Sequence, residues 1–191
     1  AFDRVYRVVV PFMTNELSAF YLDYTKDILY IEKENSFERK AVQSTLYDMT
    51  LGLLKLLTPI IPHTTSEAYL LLPYKEKEDV YLELMPSSGK KMDEELVVAF
   101  DIFDSMRQVI LKKLEGAREQ KIIGKSLAAK LDLTVTKEQM DAIRLLEMKI
   151  NQVLIVSKVN LTEGKQFNVV VSPAEGETCD RCWNIVDHVH E

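Results

Sequence analysis

The sequence predicts a mainly α-helical protein, a helical bundle followed by a small α+β domain. Between residues 17 and 57, apolar side chains recur every three or four residues, which is the period of an amphipathic helix. After Gly124 the period changes to two, as in a half-buried strand. With 47% hydrophobic residues in 191, both parts can bury a core. The alternating apolar residues are Leu131, Leu133 and Val135.

Turn signals divide the first, helical part into separate helices. One helix is expected over residues 17–31, and Pro11 upstream of it predicts a kink or a break. Asn35 and Ser36 predict a turn and an N-cap, and the helix that follows must end before Pro59. Short links between helices are typical of a bundle.

Three short features of the bundle carry their own predictions. Gly52, inside the second helix, costs roughly 1 kcal/mol relative to alanine, which suggests the close approach of another helix. Residues 64–67, Thr-Thr-Ser-Glu, have the pattern of a capping box and predict a short helix that ends at Pro73. The charged loop that follows is expected to contain one strand, residues 80–85.

The second part is expected to begin with a long helix over residues 93–121. A strand, a helix and two more strands should follow it. Thr136 and Gln139 form a capping-box pattern at the start of the shorter helix, and the last two strands are expected at residues 153–161 and 167–171.

The distribution of charge allows two interpretations. A net charge of −6 argues mildly against binding to nucleic acid, but local charge decides such binding. Between residues 107 and 130 there are seven basic residues and only two acidic ones. This excess of positive charge fits either a solvated helix or a phosphate-binding surface. Arg107 lies within the apolar face of the long helix expected at residues 93–121, and it is either salt-bridged or held for a ligand. The basic residues are Arg107, Lys112, Lys113, Arg118, Lys121, Lys125 and Lys130.

The sequence lacks the motifs of several functional classes. The sequence has no glycine-rich phosphate loop, no H-E-x-x-H and no G-x-S-x-G. The longest apolar run, residues 51–61, is interrupted by Lys55 and Pro59 and is too short to cross a bilayer. The chain opens without methionine and without a signal segment, so we expect a cytoplasmic piece of a longer protein.

Cys179 and Cys182 have the C-x-x-C spacing of half a tetrahedral zinc site. Without a secretory signal, such a pair indicates metal or redox chemistry rather than a structural disulfide. His188 and His190 could complete the ligands, but we favour a half-site whose second cysteine pair lies outside this chain. Such a tail should be loosely held, metal-free or oxidised to a disulfide.

Five segments resemble the isoleucyl-tRNA synthetase family. Residues 17–30 resemble its L-S-x-x-Y-L-D-x-x-K-D-x-L-Y, and residues 39–46 its R-R-x-A-Q-T-x-L. Residues 59–67 are similar to P-I-x-P-H-T-x-E-E. Residues 114–127 contain the family's L-E-x-A-R and I-G-x-S-L, and residues 179–183 its C-x-R-C-W. The chain departs from the family pattern at Ser44, Met85 and Ala128.

The resemblance implies the anticodon-binding region of a bacterial-type class I enzyme. It implies a helical anticodon-binding bundle at residues 1–92, a long helix with an α+β junction domain at 93–175, and a partial zinc element at 176–191. The parent enzyme would be a cytoplasmic monomer that uses ATP to ligate isoleucine to its tRNA. This region would bind the anticodon arm of that tRNA, and catalysis and editing would lie elsewhere.

Five basic residues, one glutamine and one aromatic residue are the candidates for contact with RNA. The first group, Arg39, Lys40 and Gln43, begins a helix, where backbone amides favour phosphate. The second group, Arg118, Lys121 and Lys125, has spacings of three and four residues, which gives one basic stripe if the long helix extends that far. We expect both groups on a common surface, and Trp183 either packs beneath the C-x-x-C turn or stacks on a base. The candidates are Arg39, Lys40, Gln43, Arg118, Lys121, Lys125 and Trp183.

Two alternatives remain open at this point. The same bundle occurs in valyl- and leucyl-tRNA synthetases, to which the first three segments are loosely similar. A protein-interaction bundle with a redox C-x-x-C and no role in RNA binding would share the same composition.

Overall fold

The computed structural model describes residues 2–87 and 92–187, and the chain divides into two compact units, residues 1–91 and 92–191. The first unit is helical in its described part, and the second combines helices with two small sheets. The prediction of a helix-rich chain with a small sheet is therefore confirmed.

The first unit begins with a helical segment that continues through a proline. Helix α1 spans Phe2–Pro11, a π-helical segment spans Phe12–Leu22, and α2 spans Asp23–Ile31. Pro11 keeps helical angles, φ −57° and ψ −44°, because the φ fixed by its ring suits a helix. The expected break does not occur. Instead, the backbone hydrogen bonds change from the α-helical spacing of four residues to the π-helical spacing of five, immediately after the proline that lacks an N–H.

Helix α3 spans Phe37–Leu57 and confirms the predicted cap. The Ser36 hydroxyl accepts the Arg39 N–H at 3.3 Å, which satisfies one of the free amides of the first turn. The interpretation of Gly52 is wrong, since a Cβ placed there would meet no atom within 4 Å.

Two predictions that follow α3 are also wrong. Helix α4 spans Pro62–Leu70 and begins with proline at its first turn, so the predicted capping box does not form. The Thr65 hydroxyl instead donates to the carbonyls of Ile61 and Pro62 at 3.1 and 3.0 Å. Val80–Leu82 is a 3-10 turn rather than a strand, because Asp79 caps it by accepting the Tyr81 N–H.

A buried polar cluster joins α3, α4 and the segment after that turn. The Tyr69 side chain is completely buried and its hydroxyl donates to Glu83 Oε1 at 2.7 Å. Lys55 Nζ lies 2.9 Å from Glu83 Oε2, and the two side chains are only 17% and 8% exposed. Hydrogen bonds from Tyr69 and Lys55 hold the pKa of Glu83 below its ordinary value.

The second unit packs a long helix against a three-stranded sheet. Helix α5 spans Glu94–Glu119 and is capped by Asp93, whose carboxylate accepts two backbone N–H groups. Strand β1, Ala129–Val135, is central, parallel to β2, Lys158–Glu163, and antiparallel to β3, Asn168–Pro173. Residues of β1 alternate between buried and half-buried, as the period of two predicts.

Helix α6 spans Lys137–Leu146, and both hydrogen bonds of its predicted capping box are present. The strand expected from residue 153 begins later. Ile150–Val153 forms the short helix α7, and Ile155 ends it in a left-handed conformation, φ 54°. Only after this turn does the chain extend into β2.

Candidate nucleic-acid interface

The first group of predicted RNA contacts lies at the start of α3, and its three side chains differ in availability. Arg39 is half-buried, and its Nη1 donates to the Glu32 carbonyl at 3.1 Å. That carbonyl follows the end of α2, so Arg39 ties α3 to the preceding helix. Lys40 and Gln43 are exposed. This group therefore offers one cation and one amide to a ligand, with Arg39 engaged inside the unit.

The second group lies at the end of α5 and does not form a helical stripe. The helix ends at Glu119, and Lys121 adopts φ 58° in the left-handed region. The Lys121 N–H donates to the Arg118 carbonyl at 3.0 Å, and the Ile122 N–H donates to Ala117 at 2.9 Å. These two bonds form a Schellman motif, in which lysine occupies the position that glycine usually takes.

The turn separates the side chains that a longer helix would have aligned. Arg118 is on the last turn of the helix, 3.9 Å from Glu115, while Lys121 and Lys125 lie beyond its end. All three are exposed. The prediction of a continuous helical stripe is wrong, and an exposed basic loop takes its place.

The C-x-x-C segment forms a small hairpin, residues 177–186, which we term the cysteine hairpin. Strands β4, Glu177–Thr178, and β5, Ile185–Val186, pair antiparallel on either side of the cysteines. The Cys179 N–H donates to the Asn184 carbonyl at 2.9 Å, and the Trp183 N–H donates to the Cys179 carbonyl at 2.8 Å. Gly176, at φ 131°, allows the chain to enter β4, where a Cβ would collide with the Val186 carbonyl.

Both cysteines are free thiols and half-buried. The Cys182 N–H and then the Arg181 N–H hydrogen-bond the Cys179 sulfur and lower its pKa, with a further contribution from the Cys182 side chain. The turn thus favours the thiolate, which is the form that binds metals. In the described residues no group of three or more potential metal ligands occurs, and His188 and His190 lie outside them.

Trp183 and Lys125 come together, although they are far apart in sequence. The indole is 62% exposed, and Lys125 Nζ lies 5.8 Å from its ring centroid. Trp183 adopts φ 61°, in the left-handed region that a bulky residue rarely occupies. Because the ring is open to solvent, it does not pack beneath the turn. An exposed aromatic face beside a cation has the properties of a stacking platform for an unpaired base.

Ser157 joins the cysteine hairpin to the loop that carries Lys125. Its hydroxyl accepts the Ile185 N–H at 2.6 Å and donates to the Leu127 carbonyl. Lys158 Nζ adds a bond to the Glu175 carbonyl at 2.9 Å and contacts Asp187. The hairpin is therefore attached to the sheet by specific hydrogen bonds, unlike the loosely held tail expected from the sequence.

Sequence reasoning missed a cavity on the face that α5 and β3 share. It has a volume of about 420 Å³, with Lys112, Lys113 and Gln120 among its lining residues. Gly116 and Val169 contribute to its walls. A glycine inside the last turns of the predicted helix, Gly116, was the available signal. Arg107, by contrast, lies 3.7 Å from Asp104 with its side chain 16% exposed, which supports the structural interpretation of that residue.

In residues 2–87 and 92–187, no helix combines the length and the apolar character that crossing a bilayer requires.

Comparison with known proteins identifies the family to which the chain belongs. The family model described as the anticodon-binding domain of tRNA ligase matches residues 1–133. The isoleucine–tRNA ligase of Acholeplasma laidlawii is 54% identical over all of this chain and 21% of its own length. That of Onion yellows phytoplasma is 48% identical, over 97% of this chain and 21% of its own.

The isoleucine–tRNA ligase of Bacillus cytotoxicus is 40% identical, over 98% of this chain and 22% of its own length. The chain thus spans about a fifth of the length of these relatives. Since the family model covers more than two thirds of the chain, the chain belongs to the family of anticodon-binding domains of tRNA ligases.

Proposed function

We propose that this chain binds the anticodon arm of an isoleucine-accepting tRNA, as part of an isoleucine–tRNA ligase. The observation that carries the proposal is the exposed Trp183 ring with Lys125 beside it. Single-stranded RNA is recognised through stacked bases and phosphate contacts, and this pair supplies one group for each. The parent enzyme would use ATP at a catalytic site outside this region.

Separation of anticodon reading from catalysis has a physical reason. A hydrocarbon pocket distinguishes isoleucine from valine by only about 150-fold and carries no information on the tRNA. Unpaired anticodon bases expose hydrogen-bonding edges and ring faces, so a separate surface can read them. The exposed Lys40, Gln43, Arg118 and Lys121, together with the less available Arg39, are proposed as further contacts. A surface shared by the two groups stays a prediction.

We further propose that Cys179 and Cys182 supply two of the four ligands of a structural zinc ion. The free thiols, the lowered pKa of Cys179 and the hairpin that encloses the turn fit this role. A bound zinc would cross-link the turn and hold it rigid. The remaining ligands would come from a second cysteine pair in the parent enzyme.

The other proposals concern the parent enzyme as a whole. It would act as a monomer in the cytoplasm. Within it, residues 1–92 would form the anticodon-binding bundle, 93–175 the junction domain, and 176–191 part of the zinc element.

The proposal is tested by binding of a labelled RNA hairpin with the sequence of an isoleucine tRNA anticodon stem and loop. Affinity should fall as salt rises, because phosphate contacts release counterions. Lys125→Glu should weaken binding and reduce the salt slope. Lys165→Glu serves as the matched control, because this exposed lysine follows the far end of β2.

Lys40→Glu, at an exposed position beside Arg39, should also weaken binding of the RNA hairpin. Equal affinity for this hairpin and for one with a scrambled loop would contradict an anticodon-reading role. Salt-independent binding, or no binding at all, would favour the protein-interaction alternative.

A further inference from the structure

The cavity between α5 and β3 combines apolar walls with polar groups at its opening. Ala117 and Val169 are buried, and the Ile122 side chain is 44% exposed. Lys112, Lys113 and Gln120 also line it and are exposed, so charged and amide groups lie beside an apolar surface. A volume of about 420 Å³ is within the range of small-ligand pockets.

Gly116 connects this cavity to the sequence. It lies inside α5, where glycine is the least favourable residue apart from proline. Close packing does not require it, because a Cβ added there would meet no atom within 4 Å. Nor does backbone geometry, since Gly116 does not adopt a positive φ. What the missing side chain does provide is open space in the wall of the cavity.

We propose that this cavity takes up one unpaired nucleobase of the bound RNA. This proposal rests on the RNA-binding function proposed above. The apolar walls receive the ring, and the Gln120 amide can both donate to and accept from the edge of the base. Lys112 and Lys113 lie where they can neutralise the phosphate of the same nucleotide. A polar edge, an apolar face and a neighbouring negative charge describe a nucleotide better than a purely apolar ligand.

The test fills the cavity without disturbing the fold. Gly116→Ala and Gly116→Met place a side chain in open space and should raise the thermal midpoint of unfolding, by about 2–4 °C for alanine. Gly116→Met should nevertheless weaken binding of the RNA hairpin about tenfold, since one base loses its site. Gly52→Ala and Gly52→Met are matched controls, because Gly52 also lies inside a helix with no atom within 4 Å of an added Cβ. They should leave affinity unchanged.

A set of hairpins, each lacking one loop base, identifies the nucleotide. For the hairpin that lacks the inserted base, wild type and Gly116→Met should bind equally. Replacing Lys112 and Lys113 with alanine should weaken intact and abasic hairpins alike, because those contacts are to phosphate. If wild type binds the hairpin and Gly116→Met binds it with the same affinity, the cavity proposal is overturned. If wild type does not bind RNA at all, the proposed function itself fails.

Discussion

Arg39 and Lys125 were both expected to contact RNA, and the structure gives them different surroundings. The Arg39 guanidinium is half-buried and donates to the Glu32 carbonyl, which holds α3 to the end of α2. Lys125 is exposed, and its amine lies beside an aromatic ring that is itself open to solvent. One cation is used within its own unit, and the other is available to a partner.

The difference shows that a basic residue near a helix N-terminus is not by itself a phosphate site. Its side chain can instead satisfy a carbonyl left free at the end of the preceding helix, as Arg39 does. The first unit also uses a cation at the other end of α3, where Lys55 is paired with Glu83 in the buried polar cluster. Four predictions test this division between structural and exposed charge.

The largest effect should come from the buried polar cluster. Glu83→Ala should lower the free energy of unfolding by about 3 kcal/mol, because the buried Lys55 amine loses its ion pair and the Tyr69 hydroxyl loses its shortest hydrogen bond. RNA affinity under conditions where the variant is folded should not change. Denaturant titrations of wild type and variant measure the loss, and a change below about 1 kcal/mol would show that the cluster is not structural.

The same cluster predicts a dependence on pH. Since the pKa of Glu83 is lower in the folded protein than its ordinary value of 4.5, its contribution is complete above that value. The contribution should disappear as the pH falls through the folded-state pKa. Wild type should therefore lose more stability than Glu83→Gln on acidification below 4.5. Parallel stability curves for the two proteins would contradict this.

A smaller effect is expected at the start of α3. Arg39→Met should cost about 1.5 kcal/mol in unfolding free energy, because the charged hydrogen bond to the Glu32 carbonyl is lost. The adjacent Lys40→Met, at an exposed position, should change stability by less than about 0.5 kcal/mol. Equal stability of the two variants would remove the distinction drawn between Arg39 and its exposed neighbours.

The smallest effect concerns the left-handed Lys121. Lys121→Gly should raise the unfolding free energy by about 1 kcal/mol, because glycine adopts this conformation without the steric cost that Cβ imposes. The same change should weaken RNA binding modestly, since it removes an exposed cation from the basic loop. Lys121→Asn also tolerates the conformation and controls for backbone flexibility. A variant that is more stable and binds RNA as well as wild type would exclude Lys121 as a contact.

The sequence predicted elements whose signals are local. The Ser36 cap, the Thr136 capping box and the alternation in β1 each depend on residues a few positions apart. The strand expected at residues 80–85 failed because a competing cap forms there and is supported from a distant position. Asp79 caps the turn that was expected to be a strand, and the Ser66 hydroxyl, 13 residues away, donates to its carboxylate at 2.6 Å.

The candidate site was predicted only in part, for a related reason. The sequence singled out Trp183 and Lys125 but could not show that they meet, because the hydrogen bonds of Ser157 to Leu127 and Ile185 span about 30 residues. Nor could it show that α5 ends in a Schellman turn formed by lysine, where glycine is the usual signal. The role of Arg39 depends on a carbonyl of the preceding helix, which no spacing rule reveals.

The central claim is that Trp183 stacks on an unpaired base of the anticodon loop, and the chain's single tryptophan permits a direct test. Titration with the unlabelled RNA hairpin should quench the tryptophan emission, because the stacked base forms a non-emitting complex with the indole. The quenching should saturate at the RNA concentration that saturates the binding of the labelled hairpin. Trp183→Phe should retain most of the affinity, and Trp183→Ala should lose about 1–3 kcal/mol of binding free energy. Emission that stays unchanged while the RNA is fully bound, with Trp183→Ala binding as wild type does, would contradict the account.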